Sequence, residues 1–122
     1  MITFNLKKEW FEKIKSGGKT HEYREVKPYW TKRFVNLSEN IFFCAPYGRF
    51  CYINQIGKCV DELKEECFLV CGYPKKDDKD KRLKARIKNI CIVNGLETDL
   101  KINKDVYDIE FELIRSENVL KE

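Results

Sequence analysis

The 122-residue chain contains only three prolines, six glycines and one histidine. Collagen-like and low-complexity classes are therefore excluded, because both need far more proline and glycine. The single histidine, His21, argues against a histidine-based catalytic triad and against a histidine zinc site. No run approaches the roughly 18 apolar residues of a membrane-spanning helix. The apolar start, followed at once by Lys7 and Lys8, is too short for a secretory signal. We expect a cytoplasmic protein with no membrane partner.

Apolar residues make up 43% of the chain and aromatic residues 13%, which is enough for a packed core. The length fits one domain. We place this single domain at residues 1–115 and treat residues 116–122 as a C-terminal tail.

The six cysteines admit three interpretations: buried free thiols, a zinc site or disulfides. They are Cys44, Cys51, Cys59, Cys67, Cys71 and Cys91. An expected cytoplasmic location favours free thiols. A zinc site would draw on four of them, yet Cys67-x3-Cys71 is the only closely spaced pair, and structural zinc sites usually show two. We predict free thiols, no bound metal and no cofactor.

The apolar spacing of the N-terminal part changes period twice. Residues 2–6 alternate as in a half-buried strand, and residues 8–16 switch to helical spacing. Gly17 follows the last periodic residue, where a left-handed helix end belongs. Residues 20–26 then predict a second strand, and Pro28 suits the first turn of a second helix.

Further strands are predicted over residues 40–45, 68–73, 83–93 and 106–114. The alternation in 83–93 changes phase near Lys88-Asn89, which predicts a β-bulge. Val60, Leu63 and Cys67 have helical spacing. These elements predict an α+β fold: a small, mostly antiparallel β-barrel with short peripheral helices after the first and second strands.

Positive charge is concentrated between Lys75 and Lys88, where eight basic and three acidic residues give a net charge of +5. Within this stretch, Lys84, Arg86 and Lys88 share one face of the predicted strand. Such a stripe either contacts the phosphates of a nucleic acid or forms a solvated face that keeps the protein soluble.

A second group of charged residues lies on the predicted strand 20–26. Lys19 follows the glycine turn, and Glu22 and Arg24, two residues apart, share a strand face. An arginine can hold a phosphate or carbonyl group, and a carboxylate can accept a hydrogen bond from a base amine. The alternative is a surface ladder of ion pairs. Tyr23 and Tyr73 lie close to basic residues and are candidates for stacking on bases.

These residues belong to a longer resemblance. The segments Phe4-Asn5-Leu6-Lys7-Lys8-Glu9-Trp10-Phe11, Gly17-x-Lys19-x-x-Glu22-Tyr23-Arg24 and Pro28-Tyr29-Trp30 resemble the N-terminal half of ASCH domains. That family belongs to the PUA-like superfamily of small β-barrels. The resemblance implies a PUA-like barrel that binds RNA or a nucleotide-like ligand, with Lys19, Glu22 and Arg24 lining the pocket.

Two alternatives remain open. One ASCH branch is an amidohydrolase of N4-acylated cytidines that uses a lysine, a threonine three residues on and a distant glutamate. Lys19 matches that lysine, while the third residue after it is Glu22 and Thr20 is adjacent. A small hydrolase of acylated cytidine or RNA would use these three residues. The other alternative is a regulatory domain that binds a protein partner. The acidic strand face of Asp108, Glu110 and Glu112 and the segment 36–66 offer a surface for it.

Overall fold

Two strand–helix units begin the chain, as the sequence predicts. The computed structural model describes residues 2–37, 41–44, 48–52, 60, 63, 65–72 and 79–114. Its strands and helices are, in chain order, β1 (Ile2–Leu6), α1 (Lys8–Lys15), β2 (His21–Glu25), α2 (Pro28–Val35), β3 (Ile41–Cys44), β4 (Arg49–Tyr52), β5 (Glu65–Cys71), β6 (Arg82–Asn94) and β7 (Asp105–Leu113). Short 3-10 turns lie at Lys79–Lys81 and Gly95–Glu97. The predicted tail, residues 116–122, lies outside the described residues.

Five strands form one curled, half-barrel sheet in the order β1-β5-β6-β7-β2. Among these strands, β1 and β5 run parallel and the other neighbours run antiparallel. Strands β3 and β4 form a separate antiparallel hairpin. The protein is therefore a small α+β domain with a mostly antiparallel sheet, which confirms the predicted fold at this level.

The core lies on the inner face of the curled sheet. Along the strands, apolar side chains that point to this face alternate with half-buried polar ones that point to the other face. Along β6 and β7, the buried members of this core are Leu83, Ala85, Ile87, Ile90, Tyr107, Ile109 and Phe111. Phe11 and Ile14 of α1 and Phe34 of α2 pack on the same core. Each large side chain buried in this way contributes about 1.5–3 kcal/mol. This burial fixes which face of every strand points inward.

The predicted β-bulge is confirmed in β6. The register between β6 and β7 shifts between Ile87 and Asn89. The extra residue, Lys88, moves the apolar series by one position, so that Ile87 and Ile90 are both fully buried. The bulge thus keeps both halves of a 13-residue strand facing the same core.

The helical interpretation of Val60, Leu63 and Cys67 is wrong where the structure describes the segment. Cys67 lies in β5, fully buried between Ile2 of β1 and Ala85 of β6. The Val60 and Leu63 amides donate to the carbonyl oxygens of Phe50 and Lys88 instead of to a preceding helical turn. Charged residues between the apolar ones give the sequence the pattern of an amphipathic helix. In the structure, carbonyl oxygens of β4 and β6 accept the backbone hydrogen bonds of Val60 and Leu63.

A glycine turn ends α1 and sets the direction of the next strand. Gly17 has φ +86°, and its amide donates to the Ile14 carbonyl oxygen, while the Gly18 amide donates to that of Lys13. This is a Schellman arrangement, with Gly17 at the left-handed position that the sequence predicts. It turns the chain so that Lys19 precedes β2.

Candidate functional site

Arg24 connects the two edge strands of the curled sheet. Although β1 and β2 lie at opposite ends of the strand order, Arg24 Nη2 donates a hydrogen bond to the Asn5 carbonyl oxygen at 2.8 Å. The guanidinium carbon lies 5.6 Å from the ring centroid of Phe4 and 5.5 Å from that of Trp30. These two rings stack with their centroids 5.1 Å apart. We call this place, formed by Phe4, Asn5, Glu22, Arg24 and Trp30, the β1–β2 seam.

Glu22 is the charged residue most deeply placed in the seam, with 5% of its surface exposed. Its Oε1 accepts a hydrogen bond from the Tyr23 amide at 2.8 Å and lies 3.4 Å from Arg24 Nη1. Its Oε2 is fully buried and has no hydrogen-bond partner among the described residues. A buried carboxylate oxygen without a donor costs about 1–3 kcal/mol or more. Such an oxygen keeps the capacity to accept a hydrogen bond from a water molecule or a ligand.

The Arg24 guanidinium is held in place by its surroundings but keeps some of its donors unused. Burial lowers the pKa of Arg24 from its ordinary value, and the Glu22 carboxylate acts in the opposite direction. The group remains charged because an arginine starts near 12.5. Of the five N–H donors of an arginine, hydrogen bonds to the Tyr23 and Asn5 carbonyl oxygens use two here. The others are available for the Glu22 carboxylate and for a ligand acceptor.

Lys19 lies apart from this pair. Its ammonium contacts the Asp99 carboxylate and lies 4.4 Å from the Trp10 ring centroid and 5.5 Å from that of Tyr23. Only 10% of its side chain is exposed. Tyr23 projects from the face of β2 opposite Glu22, because neighbouring side chains alternate along a strand. The structure therefore brings Glu22 and Arg24 together, and it places Lys19 with the outward-facing residues.

The other outward-facing residues of β2 form a polar cluster with β7. His21 Nδ1 lies 2.6 Å from Asp108 Oδ1, and His21 Nε2 lies 3.5 Å from Glu110 Oε2. The pKa of Tyr23 is raised by burial and by nearby carboxylates, first Asp108 and then Asp99. The His21 ring thus contacts carboxylates of two residues of β7.

Thr20, the candidate nucleophile, is exposed beside the start of β2. Its carbonyl oxygen accepts a hydrogen bond from the Phe111 amide at 3.0 Å. Thr20 and Lys19 also line a small hollow of about 310 Å³ between the end of α1 and β7. This hollow is separate from the seam, whose described residues do not line it.

The predicted basic stripe lies on the outer face of β6. Lys84, Arg86 and Lys88 alternate with the buried Leu83, Ala85 and Ile87. Lys84 Nζ lies 3.2 Å from Glu66 Oε2, and Arg86 Nη1 lies 3.3 Å from Glu112 Oε1. The stripe and the seam are therefore on opposite faces of the sheet. Carboxylates on the neighbouring strands offset the charge of two of its three members.

Two further sequence predictions concern aromatic and sulfur side chains. Tyr73, the second stacking candidate, lies outside the described residues, as does Cys59 of the zinc alternative. The five described cysteines are free thiols, and burial raises the pKa of Cys67 to about 12. Within the described residues, no three metal-binding side chains form a group.

Sequence reasoning missed several residues that complete these two sites. The sequence places Phe4 and Asn5 in a strand and in the ASCH-like segment without an individual role, and it gives no signal for Asp99. Asp99 lies 80 residues from Lys19, in a loop without an apolar pattern. Asn5 contributes its backbone oxygen, which no side-chain pattern can signal.

Compared with known proteins, the chain matches no family model, no curated protein and no solved structure. Each of the two described helices has eight residues, and neither is long and apolar enough to cross a membrane.

Proposed function

We propose that this protein binds RNA or a nucleotide-like ligand at the β1–β2 seam, as the resemblance to ASCH domains in the PUA-like superfamily implies. The observation that carries the proposal is the buried Glu22 Oε2, which has no hydrogen-bond partner among the described residues. It lies on the same carboxylate as an oxygen held near Arg24. A ligand suited to this pair presents a hydrogen-bond donor next to an acceptor.

The edge of a nucleobase has this chemistry. Exocyclic amino and ring imino groups donate, and neighbouring carbonyl oxygens or ring nitrogens accept. Glu22 Oε2 accepts from the donor and Arg24 donates to the acceptor. The half-buried Trp30 lies next to them, held by stacking on Phe4 and Phe34.

Binding fits the described geometry better than hydrolysis. The hydrolase hypothesis needs Lys19, Thr20 and Glu22 together, whereas Lys19 and Glu22 lie on opposite faces of β2. The Lys19 ammonium contacts Asp99, and Glu22 contacts Arg24. The proposal therefore uses Glu22 and Arg24 for binding and gives Lys19 and Thr20 no chemical step. When incubated with N4-acetylcytidine, the wild-type protein should release acetate no faster than the Lys19→Ala variant does.

Fluorescence anisotropy of a labelled ten-nucleotide RNA tests the proposal, with unlabelled nucleoside monophosphates as competitors. We expect saturable binding that is weakened at least tenfold by Glu22→Gln, because a hydrogen bond to a charged group contributes about 1.5–3 kcal/mol. Glu110→Gln, a matched change on the outer face of the sheet, should leave the affinity within twofold. Equal affinities for the wild type and Glu22→Gln would contradict the proposal, as would the absence of binding.

A further inference from the structure

An open groove lies next to the seam, between α2 and the edge of the sheet formed by β1 and the start of β5. Its volume is about 710 Å³, which lies within the range of ligand sites. Tyr29, Lys32, Arg33 and Asn36 line the wall on the α2 side, and Glu65 and Glu66 line the wall on the β5 side. Ile2 and Leu37 add apolar side chains to the lining.

A series of ring contacts connects the groove to the seam. The Arg33 guanidinium carbon lies 3.4 Å from the ring centroid of Tyr29, which is 56% exposed. Tyr29 meets Trp30 edge to face, with centroids 4.9 Å apart. Trp30 in turn stacks on Phe4 and lies beside Arg24. One helical turn thus presents Tyr29 and Arg33 to the groove and Trp30 to the seam.

The two walls of the groove carry opposite charges. Lys32 and Arg33 are exposed cations on α2, and Arg33 Nη1 also donates to the Tyr29 carbonyl oxygen at 2.9 Å. On the other wall, Glu66 lies near Lys84, which reduces its repulsion of an anion. Phosphates suit the cationic wall. Ribose hydroxyls and exocyclic amino groups are donors that suit carboxylates.

We propose that the groove binds the strand of an RNA whose neighbouring base occupies the seam. Lys32 and Arg33 contact its phosphates, Tyr29 and Arg33 offer a stacking surface, and Glu65 and Glu66 accept hydrogen bonds from ribose or base. This inference rests on the proposed function of the seam. It assigns the phosphate contacts to α2 and not to the stripe on the outer face of β6.

Two double variants that each remove two positive charges test this assignment: Lys32→Gln/Arg33→Gln in the groove and Arg86→Gln/Lys88→Gln on the outer face. Affinities for the labelled ten-nucleotide RNA are measured by anisotropy over a range of salt concentrations. The groove variant should bind at least tenfold more weakly. Its slope of log affinity against log salt should be smaller by about 1.4, since each phosphate contact on a single strand contributes about 0.7. The outer-face variant should stay within twofold of the wild type.

Nucleoside monophosphate binding, measured on the same proteins, separates the two proposals. We expect it to change less than threefold in the groove variant, because the seam is intact. If monophosphates bind and the two double variants weaken RNA binding equally, or the outer-face variant weakens it more, the groove assignment is overturned and the seam proposal stands. If neither RNA nor monophosphates bind, both are overturned. A DNA strand of the same sequence should bind at least threefold more weakly, and equal binding would contradict the role of the ribose hydroxyls.

Discussion

The two faces of β2 carry similar numbers of polar groups but differ in how far these groups satisfy one another. On the outer face, His21 contacts Asp108, and Lys19 at the start of the strand contacts Asp99. On the inner face, Glu22 contacts Arg24 with one oxygen and buries the other without a described partner. The described ion pairs of the outer face thus bring opposite charges together. The inner face keeps one buried acceptor without a described donor, and this is the observation on which the proposed binding site rests.

The largest effect is expected when the inner pair is broken. Arg24→Met leaves the Glu22 carboxylate buried without its cation and removes the hydrogen bond to the Asn5 carbonyl oxygen. Loss of one partner of a buried pair costs about 3–5 kcal/mol. Because 20% of the Arg24 side chain is exposed, we expect a value near the lower end of this range, about 3 kcal/mol, in urea unfolding.

The double variant Glu22→Leu/Arg24→Met provides the control for this prediction. It removes both charges and should recover at least half of the lost stability, since apolar replacements of buried ion pairs are often neutral. If Arg24→Met lowers the free energy of unfolding by less than about 1 kcal/mol, the Glu22–Arg24 pair is solvated. That result would contradict the difference drawn here between the two faces of β2.

The next effect concerns the loop that supplies Asp99 to the outer face. A Cβ atom at Gly95 would lie 2.5 Å from the Ile102 carbonyl oxygen and 2.9 Å from that of Lys104. Gly95→Ala should therefore lower the free energy of unfolding by about 1–3 kcal/mol. Gly18→Ala is the matched control, because its nearest contact would be an ordinary 3.5 Å. Similar unfolding midpoints for the two variants would contradict the tight packing of Gly95.

A smaller effect is expected for the outer ion pair itself. The Lys19 side chain is only 10% exposed, but that of Asp99 is 44% exposed, so water screens the pair from the carboxylate side. Pairs exposed to water contribute about 0–1 kcal/mol. A double-mutant cycle with Lys19→Met and Asp99→Asn should give a coupling energy of at most about 1 kcal/mol. Both single variants should bind nucleoside monophosphates within twofold of the wild type. A tenfold lower affinity of Lys19→Met for nucleoside monophosphates would indicate that Lys19 belongs to the binding site and would contradict this prediction.

The smallest effect is a change in the titration of Tyr23. Burial and the carboxylates of Asp108 and Asp99 raise its pKa above the ordinary value of 10.0. Because the folded-state pKa is raised, this contribution to stability is present below pH 10 and is lost as the pH rises through the raised value. The tyrosinate absorbance of Tyr23, identified by its loss in Tyr23→Phe, should therefore appear above pH 10 in the wild type. In Asp108→Asn it should appear at a lower pH than in the wild type, because one of the carboxylates that raise the pKa is removed. A midpoint at or below 10 in the wild type would contradict this assignment.

The N-terminal third of the fold was predictable because its signals are local. Apolar periodicity, Gly17 and Pro28 define two strand–helix units, and alternation places Glu22 and Arg24 on one face. The same alternation predicts the bulge at Lys88. Partners from distant segments were not predictable, since they depend on strand register: Arg86 faces Glu112 across β6 and β7 only once that register is known. The PUA-like assignment and RNA binding stay predictions.

The most direct test of the central claim follows the fluorescence of Trp30 in a Trp10→Phe background, which leaves one tryptophan in the chain. Each of the four common nucleoside monophosphates is titrated against this protein with Glu22 intact, with Glu22→Gln and with Glu110→Gln. The account predicts saturable quenching by at least one nucleotide, weakened at least tenfold by Glu22→Gln and unchanged within twofold by Glu110→Gln. Absence of saturable quenching, or equal affinity for all three proteins, would contradict the claim that the buried Glu22 oxygen is the ligand acceptor.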